Sequence, residues 1–128
     1  MSSEQTSATK NLFVGVNEPE DLDNLSDLEK KHHPVIEAPD DVDSGECFEV
    51  TVEVGKLLEH PNEHAHFIQF MDLYADHTFL ARVDFTSVKS SPKVTFWVTL
   101  EEPAEELRVY DHCNLHGTWV GRKPIKVK

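Results

Sequence analysis

Cys113 and His116 stand three residues apart in Cys113-Asn114-Leu115-His116-Gly117. A thiolate and an imidazole at that spacing can both reach one metal ion, and Gly117 lets the backbone fold closely around it. Alone, the spacing is shared by zinc sites, copper sites and chance. Histidine upstream gives it weight: His32-His33-Pro34, then His60-Pro61-Asn62-Glu63-His64-Ala65-His66. One cysteine with several imidazoles is poor in the thiolates that closed structural zinc sites use. The donor set suits a redox iron or copper centre better.

The elements that must carry these residues read as strands from residue 46 onward. Phe48, Val50, Val52 and Val54 alternate with Glu49, Thr51 and Glu53, the period of a half-buried strand. Phe79, Ala81, Val83 and Phe85 alternate in the same way, as do Val94, Phe96, Val98 and Leu100. Segments 65–75, 106–112 and 124–128 read as further strands. Gly55, Asp76-His77, Ser90-Ser91-Pro92 and Pro103 punctuate the series. Six or seven short strands at this spacing predict an all-β, antiparallel β-sandwich. His32 then precedes the first strand, His60 falls in the loop after residue 55, and His66 begins the next strand. Cys113 and His116 lie in the loop after strand 106–112. Loops converging at one end of a rigid sandwich are a usual place for a metal site. Cys47 sits on the polar face of its strand and reads as an uninvolved thiol.

Ahead of the strands, residues 1–28 are polar and acidic, with a few apolar anchors at Leu12, Phe13, Val14 and Val16. Composition marks them as a partly ordered extension. Ser26-Asp27-Leu28-Glu29 fits a capping box that starts a short helical turn, and Pro34 would stop it.

A chain of 128 residues is the size of one domain. The formal net charge of −12 argues against a nucleic-acid partner, because phosphate binding needs a basic face. Residues 1–30 hold seven acids and two bases, so much of the negative field comes from there. No long apolar run predicts a membrane span, and Met1 to Lys10 lacks the apolar stretch of a secretion signal. With two cysteines, too few for a disulfide framework, the expectation is a reducing, cytoplasmic setting.

Three motifs in order resemble the superoxide reductases, the family of neelaredoxin and the iron domain of desulfoferrodoxin. They are Lys31-His32-x-Pro34-Val35-Ile36, His60-Pro61-Asn62 with His66 six residues after His60, and Cys113-Asn114-x-His116-Gly117. The resemblance covers roughly residues 29–128 and implies an immunoglobulin-like sandwich of about seven strands. It also implies one mononuclear iron, Fe2+ or Fe3+, with His32, His60, His66 and His116 as equatorial ligands and Cys113 as the axial one. The implied activity is one-electron reduction of superoxide to hydrogen peroxide. Lys31 would attract superoxide and organise water for protonation. An external donor, rubredoxin or a related small iron protein, would re-reduce the iron, and the family favours a homotetramer. His33, His64, His77 and His112 have no counterpart role. With no cysteines for a second iron site, the likeness is to the one-iron form.

The chain departs from the family at one point: Lys30 stands where a glutamate usually closes the sixth position of the ferric iron. Glu29 is one residue earlier, and in an extended segment its side chain would point the other way. A capping role for Glu29 is therefore expected. The alternative to the enzyme is a non-catalytic metal-binding or electron-transfer sandwich. A blue-copper carrier would want a methionine shortly after the last histidine, and Gly117-Thr118-Trp119-Val120 follow instead.

Overall fold

Alternation of apolar and polar residues leaves one face of each strand to be buried, and two sheets bury those faces against each other. A computed structural model describes residues 11–128. In chain order it contains β1 (Val16–Asn17), α1 (Asp27–His32), β2 (Val35–Glu37), β3 (Asp41–Val42), β4 (Cys47–Glu53) and β5 (Ile68–Ala75). These are followed by β6 (Thr78–Asp84), β7 (Lys93–Thr99), β8 (Glu106–Cys113), β9 (Gly117–Pro124) and β10 (Lys126–Val127). A five-stranded sheet in the order β1-β9-β8-β5-β6 faces a three-stranded sheet, β2-β4-β7, and β10 pairs with β3. The protein is thus a β-sandwich, as the alternation predicts.

Phe48, Val50 and Val52 of β4 and Phe96 and Val98 of β7 meet Met71 and Leu73 of β5 and Leu107 and Val109 of β8 in one core. A slip of one residue in β4 would turn three of these side chains to solvent. Each exposure costs about 1.5–3 kcal/mol, so the register is firmly set. On β8 the inward row runs Leu107, Val109, Asp111, Cys113, which puts the thiol at the end of the core.

Four departures from the sequence pattern have local causes. Strand β9 is missing from that pattern because Gly117, Gly121 and Pro124 interrupt its apolar residues, yet it pairs along its whole length with β8. The segment 124–128 supplies only the two residues of β10. Two short pairs, β1 with β9 and β10 with β3, are parallel rather than antiparallel. In β6 the register shifts opposite Leu73 and Tyr74, so Phe79 turns outward, 54% exposed, and packs edge-on against Tyr74. Such a bulge exchanges the faces of the residues beyond it.

Helix α1 follows the capping box. Ser26 Oγ accepts from Glu29 N at 3.2 Å, and the Glu29 carboxylate accepts from Ser26 N at 2.8 Å. Pro34 follows at the end, where His33 is already extended. Residues 1–10 of the acidic extension lie outside the described part. Residues 11–18 are mostly exposed but anchored: Asn17 is buried and β1 joins the large sheet. Their contacts run through backbone groups, the Asn17 amide and the Glu18–Arg122 ion pair, all to residues distant in sequence, so composition carried no sign of them.

Candidate metal centre

Four separate elements deliver four histidine rings to the end of the sandwich. His32 is the last residue of α1, and His60 lies in the loop after β4. His66 closes a tight turn, bridged to Glu63, just before β5. His116 sits in the turn between β8 and β9. The rings form a closed cycle of edge contacts. Centroids are 4.7 Å apart for His32–His60, 4.8 Å for His60–His66, 5.0 Å for His66–His116 and 4.9 Å for His116–His32.

Cys113 stands at the core side of this cycle. One ligand atom each from His32, His60, His66 and Cys113 lie within 4.8 Å of one another. His116 is not in that tightest group, but its Nδ1 is 3.8 Å from the Cys113 sulfur. Histidines 33, 64, 77 and 112 stand outside the cycle. His64 bonds Ser87 Oγ at 2.8 Å, and His112 bonds Thr118 Oγ1 at 2.8 Å while stacking on Phe70.

The nitrogens show how this cluster suits a metal. His32 Nδ1 is 2.7 Å from the Leu28 carbonyl and His60 Nδ1 is 2.6 Å from the Pro61 carbonyl. A carbonyl only accepts, so each Nδ1 carries the proton and each Nε2 keeps its lone pair. The Nε2 atoms of His32, His60 and His66 are buried without any partner. Three buried ring nitrogens without partners beside a thiol would be unfavourable in a protein that binds nothing there. Burial lowers the pKa of His32 and of His60 to about 4, so both are neutral and ready to ligate at pH 7. Burial also raises the Cys113 pKa, while the amides of Leu115 and His116 favour its thiolate. A cation bound there would supply the remaining stabilisation of that thiolate. The site fits a metal held by His32, His60, His66 and Cys113, with the His116 ring beside them.

Several supporting residues carry no sequence signal of their own. Trp119 stacks on the His32 ring at 5.1 Å and donates from Nε1 to the His116 carbonyl at 3.0 Å. Asn114, noted only as part of a motif, grips both neighbours of His66: its Oδ1 accepts from Phe67 N and its Nδ2 donates to Ala65 O, each at 2.9 Å. Asn62 ties the His60 loop to residues 88–90 by accepting from Val88 N and donating to Ser90 O.

Lys31 is half-buried beside the cluster; burial lowers the pKa of both His60 and His116, and the neighbouring imidazoles and the Lys31 charge add to it. No carboxylate among the described residues pairs with it or with Lys30. Glu29 lies on a helix, not in an extended segment, so the alternation argument does not apply to it. Its carboxylate is nevertheless held by the cap. Glu29→Ala is therefore expected to lower stability by about 1 kcal/mol and to leave the visible spectrum of the iron-loaded, oxidised protein unchanged across pH. A large spectral change would show that Glu29 reaches the metal.

The fold and the donor set define a β-sandwich metalloprotein with a non-haem, redox-type centre. The family model for desulfoferrodoxin matches residues 24–122. A Methanocaldococcus jannaschii protein given the superoxide reductase name is 42% identical over 116 residues, which are 88% of this chain and 95% of that one. A superoxide reductase of Pyrococcus abyssi is 34% identical, covering 70% of this chain and 83% of its own. Among solved structures, the superoxide reductase (neelaredoxin) of Ignicoccus hospitalis has a TM-score of 0.76 at 36% identity, covering 88% of this chain and 95% of that one. The chain belongs to the desulfoferrodoxin family, and its activity is that of a superoxide reductase using mononuclear iron. An electron carrier is not favoured. Apart from Met1, the chain's one methionine is Met71, fully buried in the core of β5.

Proposed function

We propose that His32, His60, His66, His116 and Cys113 would hold the iron, and that superoxide is reduced there beside Lys31. The closed cycle of four imidazoles over one thiol is the observation that carries this reading. When bound, the iron supplies the electron that takes superoxide to the peroxide level. The chain's own residues do the rest. Carbonyls of Leu28 and Pro61 fix the tautomers of His32 and His60. The amides of Leu115 and His116 temper the electron donation of the Cys113 sulfur. Two protons must reach the product, and Lys31 orders the water that delivers them.

Lys31 also answers an electrostatic difficulty. A protein of net charge −12 repels an anionic substrate unless local positive charge outweighs the global field. Lys30 and Lys31 in the last turn of α1 supply that charge. Lys31→Ala is expected to slow the second-order reaction of the reduced protein with superoxide by about tenfold at low salt. Added salt should slow the wild type more than the variant, because screening removes what the variant already lacks. Equal rates and equal salt responses would remove Lys31 from the mechanism. Lys30→Ala should show a smaller effect of the same sign.

The same reading assigns residues 29–128 to the iron-binding unit and residues 1–28 to an acidic extension. A small one-electron carrier of the rubredoxin kind re-reduces the iron. The setting is the cytoplasm, consistent with two free thiols, Cys47 exposed and Cys113 buried. No helix among the described residues is long and apolar enough to cross a membrane. Assembly is as a homotetramer, for which the outward aromatic face of the large sheet (Phe70, Tyr74, Phe79, Tyr110) offers a surface.

A further inference from the structure

The metal-binding turn is covered from outside by the N-terminal segment. Residues 11–14 make a tight turn, in which Val14 N donates to Asn11 O at 3.1 Å. That turn lays the Leu12 carbonyl directly on Gly117, in the space a Cβ would fill. Gly117 has φ +81°, in the left-handed region, so glycine is required there for two reasons. Asn17 fastens the arrangement. It is 2% exposed, and its Nδ2 donates both to Leu12 O at 2.8 Å and to Thr118 O at 2.9 Å. One amide thus closes the N-terminal turn and joins it to the strand leaving the metal-binding turn.

Three further contacts extend the arrangement. Val16 and Asn17 pair in parallel with Thr118 and Trp119. Glu18 holds Arg122 by two bonds of 2.8 and 3.2 Å. Cys113 and Gly117 face each other where the β8–β9 hairpin begins, and Trp119 touches both His32 and the His116 carbonyl. A shift of residues 117–119 would therefore be felt by Cys113, His116 and His32 together. The family match begins at residue 24, beyond this segment.

We infer that residues 11–18 are a clasp that holds the Cys113–Gly117 turn in its metal-binding shape, with Asn17 as the positioning residue. The inference rests on Cys113 and His116 being iron ligands. Residues that orient ligands from behind change metal affinity by about 10–100-fold when removed. Alanine at position 17 removes both donated bonds and frees the Leu12 carbonyl from Thr118.

The test is Asn17→Ala in the full chain, loaded with iron. Release of ferrous iron to a chelator should be about tenfold faster than in wild type. The thiolate-to-iron charge-transfer band of the oxidised protein should shift, and amide exchange at residues 114–119 of the metal-free protein should accelerate. Val14→Ala, a change at a side chain pointing to solvent, should match wild type on all three measures. If Asn17→Ala fails to fold, Glu18→Ala loosens the far end of the clasp and should move release and band in the same direction, by less. A lower unfolding midpoint with wild-type release rate and band would overturn the inference, leaving Asn17 a structural residue only. Wild-type protein that takes up no iron would instead contradict the ligand assignment, a different outcome.

Discussion

Cys113→Ser is expected to abolish the thiolate-to-iron charge-transfer colour of the oxidised protein and to weaken iron retention by at least about 100-fold, beyond the usual effect of losing a residue behind the ligands. The sulfur is the one soft donor in the cluster, fully buried at the end of the β8 core row. A serine hydroxyl in the same place stays protonated and cannot replace a thiolate that two amides stabilise. His64→Ala is the matched control. His64 bonds Ser87 outside the ring cycle, so iron content should stay at one per chain. Retained colour in Cys113→Ser, or stoichiometric zinc or copper in wild type made with ample iron, would contradict the assignment.

Gly121→Ala is expected to be strongly destabilising although it adds a single methyl group. A Cβ there would overlap the carbonyl oxygen of Pro34 and press on its ring at 3.0 Å. Pro34 is fully buried and stands two residues after His32, so relief by movement would draw the end of α1 away from the cluster. Overpacking of this kind costs about 3 kcal/mol where backbone must yield. Denaturant unfolding of the metal-free variant should show that loss, and the loaded variant should retain less iron. Unchanged stability would mean that Pro34 and β9 are not in close contact at Gly121.

The strands that position the site were legible where their pattern was undisturbed. Strands β4 and β7 alternate cleanly because one face of each is buried, and their inward residues are the ones the alternation names. Strand β9 was not legible, since its two glycines serve close packing against Leu12 and Pro34 and so erase the apolar signal. The helical nature of the His32 segment was legible from Ser26 and Glu29 through the capping box. The candidate ligands were implied by the family resemblance, whereas the closure of their rings into a cycle was not legible, because it depends on loops separated by up to 84 positions, from His32 to His116. Asn17, Trp119 and the Gly121–Pro34 contact share that dependence on distant backbone. A clasp built from one amide and one carbonyl leaves no trace in composition.

At the Cys113 centre superoxide is expected to be reduced, not dismutated. The most direct test mixes the fully reduced, iron-loaded protein anaerobically with a known amount of superoxide and counts products. One hydrogen peroxide should form and one iron should be oxidised for each superoxide consumed, with no dioxygen released. Dioxygen appearing in step with peroxide, or superoxide persisting while the iron stays ferrous, would contradict that expectation.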